Sequence, residues 1–121
     1  MRRRVLIIDD EPLAGESLRR LLEDTYAVDL VSSAEAAWER LKDDDGYHAV
    51  VCDLMMPGMT GMELHARVAR ERPRLARRFV FLTGGAFTQT AQSFLEATDS
   101  PILEKPYDLD ELYGVLDRVS G

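Results

Sequence analysis

Five short apolar runs alternate with amphipathic stretches along this chain, and this alternation constrains its fold more than any other feature. The runs are Val5–Ile8, Val28–Val31, Ala49–Cys52, Phe79–Leu82 and Ile102–Leu103. Their length and β-branched content are typical of strands, whereas the stretches between them have the apolar spacing of helices that pack on a core. Runs that are apolar on both faces indicate strands covered on both sides, as right-handed βαβ crossovers produce. The pattern therefore predicts an α/β fold with a parallel five-stranded sheet.

Each predicted helix has one apolar face, and the second apolar run differs from the others. The core-facing residues are Ala14, Leu18, Leu21 and Leu22, then Ala34, Ala37, Trp38 and Leu41, then Leu64 and Val68, then Ala91, Phe94 and Leu95, and last Leu109, Leu112, Tyr113 and Leu116. The third helix is expected over roughly residues 61–72, with Thr60 and Glu63 as a capping box and Pro73 at its end. Because Val28–Val31 alternates with a polar residue, we expect this strand at a sheet edge.

The size and charge of the chain restrict its function. At 121 residues the chain suits one compact domain, so we expect a single domain over residues 1–121. Its net charge of −7 disfavours direct binding to nucleic acid and to anionic membranes. The lone Cys52 cannot form an intrachain disulfide, and the apolar run behind Arg2–Arg4 is too short for a signal or membrane segment. These features predict a cytoplasmic protein.

Polar and ionisable side chains follow four of the five predicted strands. They are Asp9 and Asp10 after the first strand, Asp53 after the third, Thr83 after the fourth and Lys105 after the fifth. Ligands of open parallel sheets bind beyond the carboxyl ends of the strands, so we expect these side chains to converge. Three carboxylates repel one another unless Lys105 or a hard divalent cation such as Mg²⁺ offsets their charge. The set predicts a phosphoryl-transfer site, in which Thr83 donates a hydrogen bond to a phosphoryl oxygen.

Asp53 is the expected phosphoryl acceptor among these carboxylates. It stands alone after a central strand, and residues 54–58 that follow it include no other acid. Asp9 and Asp10 are adjacent, which suits joint binding of a metal ion. The sequence therefore predicts that a carboxylate oxygen of Asp53 is the nucleophile.

The same residues resemble the receiver domain of two-component response regulators, over essentially the whole chain. The shared motifs are the pair Asp9-Asp10, the segment Asp53–Gly61 with the pattern D-x-x-M-P-x-x-x-G, the pair Thr83-Gly84 and the block Lys105–Tyr107. Each motif alone is weak, but together, in this order at the ends of four strands, they are highly specific. The resemblance implies a CheY-like, flavodoxin-like (βα)₅ fold, doubly wound, with strand order 2-1-3-4-5.

The resemblance also implies a role for each acid of the site. Asp53 takes a phosphoryl group from a histidine kinase or a histidine phosphotransfer protein and becomes an acyl phosphate. Asp10, Asp53 and the backbone carbonyl of Met55 bind Mg²⁺, and Asp9 does so directly or through water. The domain so described is a signalling switch rather than an enzyme. It phosphorylates itself from a phosphodonor with Mg²⁺, loses the phosphate slowly, and signals to a downstream effector protein or domain.

Two further residues of the site, and the surfaces around it, follow from the same resemblance. Lys105 pairs with the phosphoryl group and precedes a cis bond to Pro106, while Thr83 turns toward the phosphoryl oxygen and moves the next loop and the fourth helix. Homodimerisation is an option through the face formed by the fourth helix, the fifth strand and the fifth helix. The segments Thr83–Phe87 and Leu103–Tyr107 look most like receivers attached to hybrid sensor histidine kinases.

One position departs from the family pattern. Many receivers have Tyr or Phe three residues before the lysine, where this chain has Ile102. We therefore expect the conformational signal to depend on Thr83, the Gly84-Gly85 pair and Phe87.

Two other functions compete with the signalling switch. An aspartyl-phosphate phosphatase of the haloacid dehalogenase type needs a second aspartate two residues after the nucleophile, where this chain has Met55. The other is a receiver-like interaction module that takes no phosphate. The complete set of acids, threonine and lysine argues against it, because such a module does not need these residues.

Other conspicuous residues are predicted to be structural. Cys52 lies inside an apolar run and is expected to be buried rather than nucleophilic. His48 and His65 lack the spacing of a metal pair and are expected on the surface. The methionines of residues 55–62 are expected to pack within their loop. Six arginines of residues 67–78 are expected to form a solvated face, with docking of an acidic partner as the alternative.

Overall fold

A parallel five-stranded sheet with helices on both faces makes up the computed structural model, which describes residues 2–84 and 88–120. The strands are β1 (Arg4–Ile8), β2 (Ala27–Val31), β3 (Ala49–Asp53), β4 (Phe79–Thr83) and β5 (Ile102–Glu104). The helices are α1 (Pro12–Leu22), α2 (Ala34–Leu41), α3 (Gly61–Glu71), α4 (Pro73–Ala76), α5 (Gln89–Ala97) and α6 (Leu109–Ser120). The strand order β2-β1-β3-β4-β5, with every neighbouring pair parallel, confirms the predicted topology.

Each face of the sheet has its own hydrophobic core. Successive residues of a strand point to opposite faces, so Val50 and Cys52 of β3 pack with side chains of α2, α3 and α5, whereas Ala49 and Val51 pack with side chains of α1 and α6. All four side chains are buried, which explains why the third apolar run has no polar face. None of the helices in the described ranges combines the length and the apolar character that crossing a membrane requires.

The strand β2 lies at one edge of the sheet, and its two sides differ. Val28 and Leu30 pack partly buried against the core on the α1 and α6 face. Between them, Asp29 accepts a hydrogen bond of 2.6 Å from the Tyr47 hydroxyl and lies 3.3 Å from the guanidinium of Arg40. The edge position of this strand is confirmed, but the side that carries Asp29 is only partly open to solvent, because Val31 on the same side packs against the core beneath α2 and α3.

The helix predictions are wrong for two core residues, and they miss one short helix. Leu21 and Leu109, expected in the core, are 49% and 42% exposed, because the buried stripes of α1 and α6 are narrower than the apolar spacing suggests. Helix α3 ends at Glu71, just before Pro73 as predicted, but Pro73 then opens an additional four-residue helix α4 that the sequence analysis does not predict. Proline suits the first turn of a helix as well as the end of one, since its fixed φ is helical and its missing N–H is not needed there.

His65 is partly buried in an aromatic cluster and does not lie on the open surface, contrary to the prediction. Its ring makes edge contacts with Phe79, Phe81 and Phe94, at centroid distances of 5.2, 5.4 and 5.9 Å. Its Nε2 lies 3.1 Å from the carbonyl oxygen of Ala76, which is placed to accept a hydrogen bond from it. Burial lowers the pKa of His65, so the neutral ring packs like one more aromatic side chain.

Gly61 allows helix α3 to begin directly against the end of β3. A Cβ atom at this position would lie 2.5 Å from the backbone oxygen of Asp53 and 3.0 Å from Sγ of Cys52. The first distance is shorter than a van der Waals contact, so this close approach of helix and strand requires glycine. The predicted capping box is present as well: the hydroxyl of Thr60 accepts from the N–H of Glu63 at 3.1 Å, and the Glu63 carboxylate accepts from the N–H of Thr60 at 3.0 Å.

We expect the substitution Gly61→Ala to lower the free energy of unfolding by about 2 kcal/mol or more, because backbone atoms of β3 must move to admit the methyl group. Gly114 in α6 is the matched control, since its Cβ would meet no atom within 4 Å. Gly114→Ala should raise stability by about 0.5 to 1 kcal/mol through helix propensity. Urea unfolding midpoints measure both effects, and similar midpoints for the two variants would contradict the close contact at Gly61.

Candidate functional site

The register of the central strands determines which side chains meet at the carboxyl edge of the sheet. Ile8 of β1 pairs with Cys52 of β3, so the next residues along the two strands, Asp9 and Asp53, lie side by side. On the other side of β3, Asp53 pairs with Leu82 of β4, which places Thr83 one residue further along the neighbouring strand.

Three carboxylates come together at this edge. Oxygen atoms of Asp9, Asp10 and Asp53 lie within 4.8 Å of one another. Asp9 is only 2% exposed, and the other two side chains are partly buried. The backbone N–H of Glu11 donates a hydrogen bond of 2.9 Å to Oδ1 of Asp9, which holds that carboxylate in place. Closely spaced, hard oxygen donors of this kind fit a divalent cation such as Mg²⁺.

Lys105 brings a positive charge to the same edge from β5. Its Nζ lies 4.0 Å from Oδ2 of Asp9, and its backbone N–H donates a hydrogen bond of 2.8 Å to the carbonyl of Thr83. The bond between Lys105 and Pro106 is cis, as predicted. The ammonium group offsets part of the charge of the three acids.

Burial and the neighbouring acids both affect the pKa of Asp53. The pKa of Asp53 is raised from 3.8 to about 6, mainly by burial and in smaller part by the negative charges of Asp9 and Asp10. The charge of Lys105 and a hydrogen bond from the backbone of Leu54 act in the opposite direction. The carboxylate is therefore ionised at neutral pH but strained by its neighbours, and an added cation would relieve that repulsion.

A cleft of about 290 Å³ opens beside Asp53 and gives access to its carboxylate. Met55, Thr83 and Lys105 line this cleft. Thr83 is 4% exposed, whereas Met55 is 38% exposed at its mouth. The six predicted site residues, counting Asp9 and Asp10 behind Asp53, thus lie at one edge of the sheet, and the roles assigned to them stay predictions.

The residues predicted to carry the conformational signal are only partly within the described ranges. Gly85 and Phe87 lie outside them. Gly84 is exposed and lines the cleft beside Asp53. Ile102 pairs with Phe81 in the sheet and is 37% exposed, on the outer edge strand β5.

Glu35 is a residue that the sequence analysis does not identify. It is the second residue of α2, and its Oε2 accepts a hydrogen bond of 3.2 Å from the backbone N–H of Met59. The same carboxylate lies against Gly58, whose φ of 74° lets the loop turn there. The contact attaches the loop after Asp53 to α2. No local pattern signals it, because it joins residues 24 positions apart.

Cys52 lies next to Asp53 without being part of the chemistry. It is a free and buried cysteine, as predicted. Burial raises the pKa of its thiol above its usual range, and the nearby charges of Asp53 and Asp9 add to that effect. A thiolate is therefore disfavoured, and Cys52 acts as a small core residue under the site.

Comparison with known proteins gives a consistent result. The family model of the response regulator receiver domain matches residues 5–117. The transcriptional regulatory protein TcrA of Mycobacterium tuberculosis is 34% identical over 118 residues, covering 97% of this chain and 46% of TcrA. The response regulator Rre1 of Synechocystis is 32% identical over 118 residues, covering 93% of this chain and 49% of Rre1. The chain thus spans about half the length of these relatives.

A similar solved structure is that of the response regulator TrrA from Thermotoga maritima, in complex with Mg²⁺ and BeF. Its TM-score to this chain is 0.79 with 26% sequence identity, and the match covers 97% of this chain and 98% of that one. Since the family model accounts for nearly the whole chain, this chain belongs to the response regulator receiver domain family.

Proposed function

We propose that this domain is the phosphoacceptor of a two-component system, and that Asp53 receives the phosphoryl group. The observation that carries the proposal is the meeting of three carboxylates within 4.8 Å, with the amine of Lys105 4.0 Å from one of them, beside an open cleft. Asp53 is the acid that lines this cleft, whereas Asp9 is almost fully buried behind it. Accessibility therefore favours Asp53 as the nucleophile.

The donor set fits Mg²⁺, which we propose as the metal of the site. Asp9, Asp10 and Asp53 offer hard carboxylate oxygens, and the carbonyl of Met55 at the mouth of the cleft is the proposed fourth donor. When bound, Mg²⁺ offsets negative charge on the phosphoryl oxygens. TrrA, which was solved with Mg²⁺ and BeF, supports this assignment by analogy.

The proposed transfer uses this chain's residues in three ways. A carboxylate oxygen of Asp53 forms a bond to phosphorus while the P–N bond of a phosphohistidine breaks, and the departing imidazole nitrogen keeps the electron pair. The ammonium of Lys105 pairs with a phosphoryl oxygen, and the hydroxyl of Thr83 donates a hydrogen bond to another. The product is an acyl phosphate on Asp53, which the domain hydrolyses slowly.

The proposed partners follow from family membership. The donor is a histidine kinase or a histidine phosphotransfer protein, and the receiver of the signal is a downstream effector protein or domain. A reducing, cytoplasmic setting agrees with the single buried cysteine. Homodimerisation through α5, β5 and α6, and attachment to a hybrid sensor kinase, stay predictions from sequence. The phosphatase alternative is disfavoured because Met55 stands where a second aspartate is needed.

Incubation of the chain with a small phosphodonor and Mg²⁺ should add one phosphate, measured by intact mass. Asp53→Asn should abolish the gain, because the amide cannot attack phosphorus. Asp24→Asn, which removes an exposed carboxylate outside the site, is the matched control and should be phosphorylated like the unaltered chain. An equal mass gain in the Asp53 variant, or none in any chain, would overturn the proposal, and continuous turnover of an unrelated phosphomonoester would favour the phosphatase.

The pH dependence of stability without metal should differ between the unaltered chain and Asp53→Asn. Because the pKa of Asp53 is 3.8 ordinarily and about 6 in the fold, the folded chain keeps a proton that the unfolded chain has released between these pH values. The free energy of unfolding should therefore fall as pH rises through that window and stay level above it. The loss should be about 1 kcal/mol, since Asp53 is partly exposed and solvent screens its charge.

Urea unfolding in the presence of a chelator, at several pH values, measures this difference. The pKa of Asp53 is 3.8 ordinarily and about 6 in the fold. Asp53→Asn should therefore be more stable than the unaltered chain above pH 6 and equally stable near pH 4. Millimolar Mg²⁺ should stabilise the unaltered chain more than the variant, because the ion binds the folded carboxylates. A constant difference at all pH values, or an equal response to Mg²⁺, would show that the acids do not form one electrostatic unit.

A further inference from the structure

Residues 67–78, here called the basic segment, carry a concentrated positive charge on an acidic protein. Six arginines and one glutamate give this segment a charge of +5, so that the remainder of the chain carries −12 within the net −7. The arginines are Arg67, Arg70, Arg72, Arg74, Arg77 and Arg78. The segment comprises the end of α3, the short helix α4 and the residues leading into β4. It therefore lies at the amino end of β4, opposite to Asp53.

These arginines are not neutralised by the protein's own acids. Within residues 2–84 and 88–120, seven of the nine basic residues outside the segment lie within 4.0 Å of a carboxylate, but none of its six arginines does. Arg72 and Arg78 donate instead to backbone carbonyls, of Lys42 at 2.6 Å and of Tyr47 at 2.8 Å. The Nε of Arg72 is buried without a hydrogen-bond partner. The segment is thus well placed to attract carboxylates from another molecule.

Two cavities flank α4, and Pro73 lines both of them. The basic cavity, of about 560 Å³, is lined by Arg72, Arg74 and Arg78 among others. The apolar cavity, of about 650 Å³, lies between α3, α4 and α5 and is lined by Ala69, Ala76, Phe94 and Ala97, with Arg77 at its side. The basic cavity and the apolar cavity are therefore neighbours on either side of α4. Helix α4 and the two cavities together are here called the ridge.

We propose that this ridge docks an acidic protein segment that carries an apolar anchor. Carboxylates of the partner would pair with Arg74 and Arg77, which are exposed, while one aliphatic or aromatic side chain would enter the apolar cavity beside Phe94. Arginine suits this role, because its planar guanidinium binds a carboxylate through two parallel hydrogen bonds. The inference does not depend on the phosphorylation of Asp53, since it uses the opposite end of the sheet.

Charge and shape favour a peptide over nucleic acid or a lipid surface. A duplex carries one charge per roughly 1.7 Å of its length, so its backbone would extend beyond the basic segment over acidic surface. Asp45 and Glu71 line the basic cavity, and Asp99 lines the apolar cavity. A flat anionic membrane cannot enter either recess. A flexible peptide can place its carboxylates on the arginines and avoid these three acids.

The test uses a labelled, glutamate-rich peptide with one central leucine, titrated into the full chain and followed by fluorescence anisotropy. Arg74→Glu/Arg77→Glu should weaken binding about tenfold or more, because two attractive contacts become repulsive. Arg20→Glu/Arg118→Glu, which changes the net charge equally at two exposed positions elsewhere, should change it less than about twofold. Higher salt should weaken binding, as screening of surface charges requires.

The opposite outcomes would overturn the proposal. They are binding no tighter than that of a glutamine-substituted peptide, an equal loss in both double variants, or a preference for a DNA duplex or for anionic vesicles over the peptide.

The apolar cavity is tested separately by filling it. Ala69 is exposed on α3 and lines the apolar cavity, whereas Ala66 is exposed on the same helix and lines neither recess. Ala69→Trp should reduce the affinity of the leucine-containing peptide to that of a peptide with serine in its place, and Ala66→Trp should leave it unchanged. Equal affinities of the leucine and serine peptides for the unaltered chain would show that no anchor enters the cavity.

Discussion

Mutual repulsion among three carboxylates is the constraint on which the functional end of this domain depends. The register of β1 against β3 brings Asp9 and Asp53 together, and the charge of Asp9 helps to raise the pKa of Asp53. Lys105 offsets part of that repulsion from 4.0 Å. The sheet therefore builds an acidic site in which Asp53 is the carboxylate that lines the cleft.

Most of this arrangement can be predicted from the sequence, because the residues that follow parallel strands all lie at the same edge of the sheet. Once the apolar runs are read as strands, the residues that follow them must share an edge. What cannot be predicted depends on contacts distant in sequence or on ambiguous signals. Pro73 serves equally as the end of one helix and the start of another. Leu21 has the spacing of a core residue but lies 49% exposed, and Glu35 contacts a loop 24 residues away.

Ile102 lies on the edge strand β5, at the position where many receivers have an aromatic residue. Its neighbour Leu103 is 3% exposed and anchors the strand in the core, whereas Ile102 is 37% exposed and pairs with Phe81. An aliphatic side chain here is smaller than the Tyr or Phe of many receivers. Unlike Tyr, it has no hydroxyl that could move between a buried and an exposed position. The movement of Thr83 that the family resemblance predicts would therefore have to be transmitted by groups other than Ile102.

The charge distribution separates two surfaces of opposite sign across a single sheet. Strand β4 begins one residue after Arg78 and ends at Thr83, so its five residues, about 17 Å at the usual rise per residue, lie between the basic segment and the acidic site. At physiological salt this separation exceeds the Debye length of about 8 Å, which limits direct coupling between exposed charges at the two ends. A partner held at the basic segment would thus leave the cleft beside Asp53 open, so the proposed docking and the proposed phosphoryl transfer are compatible on one molecule.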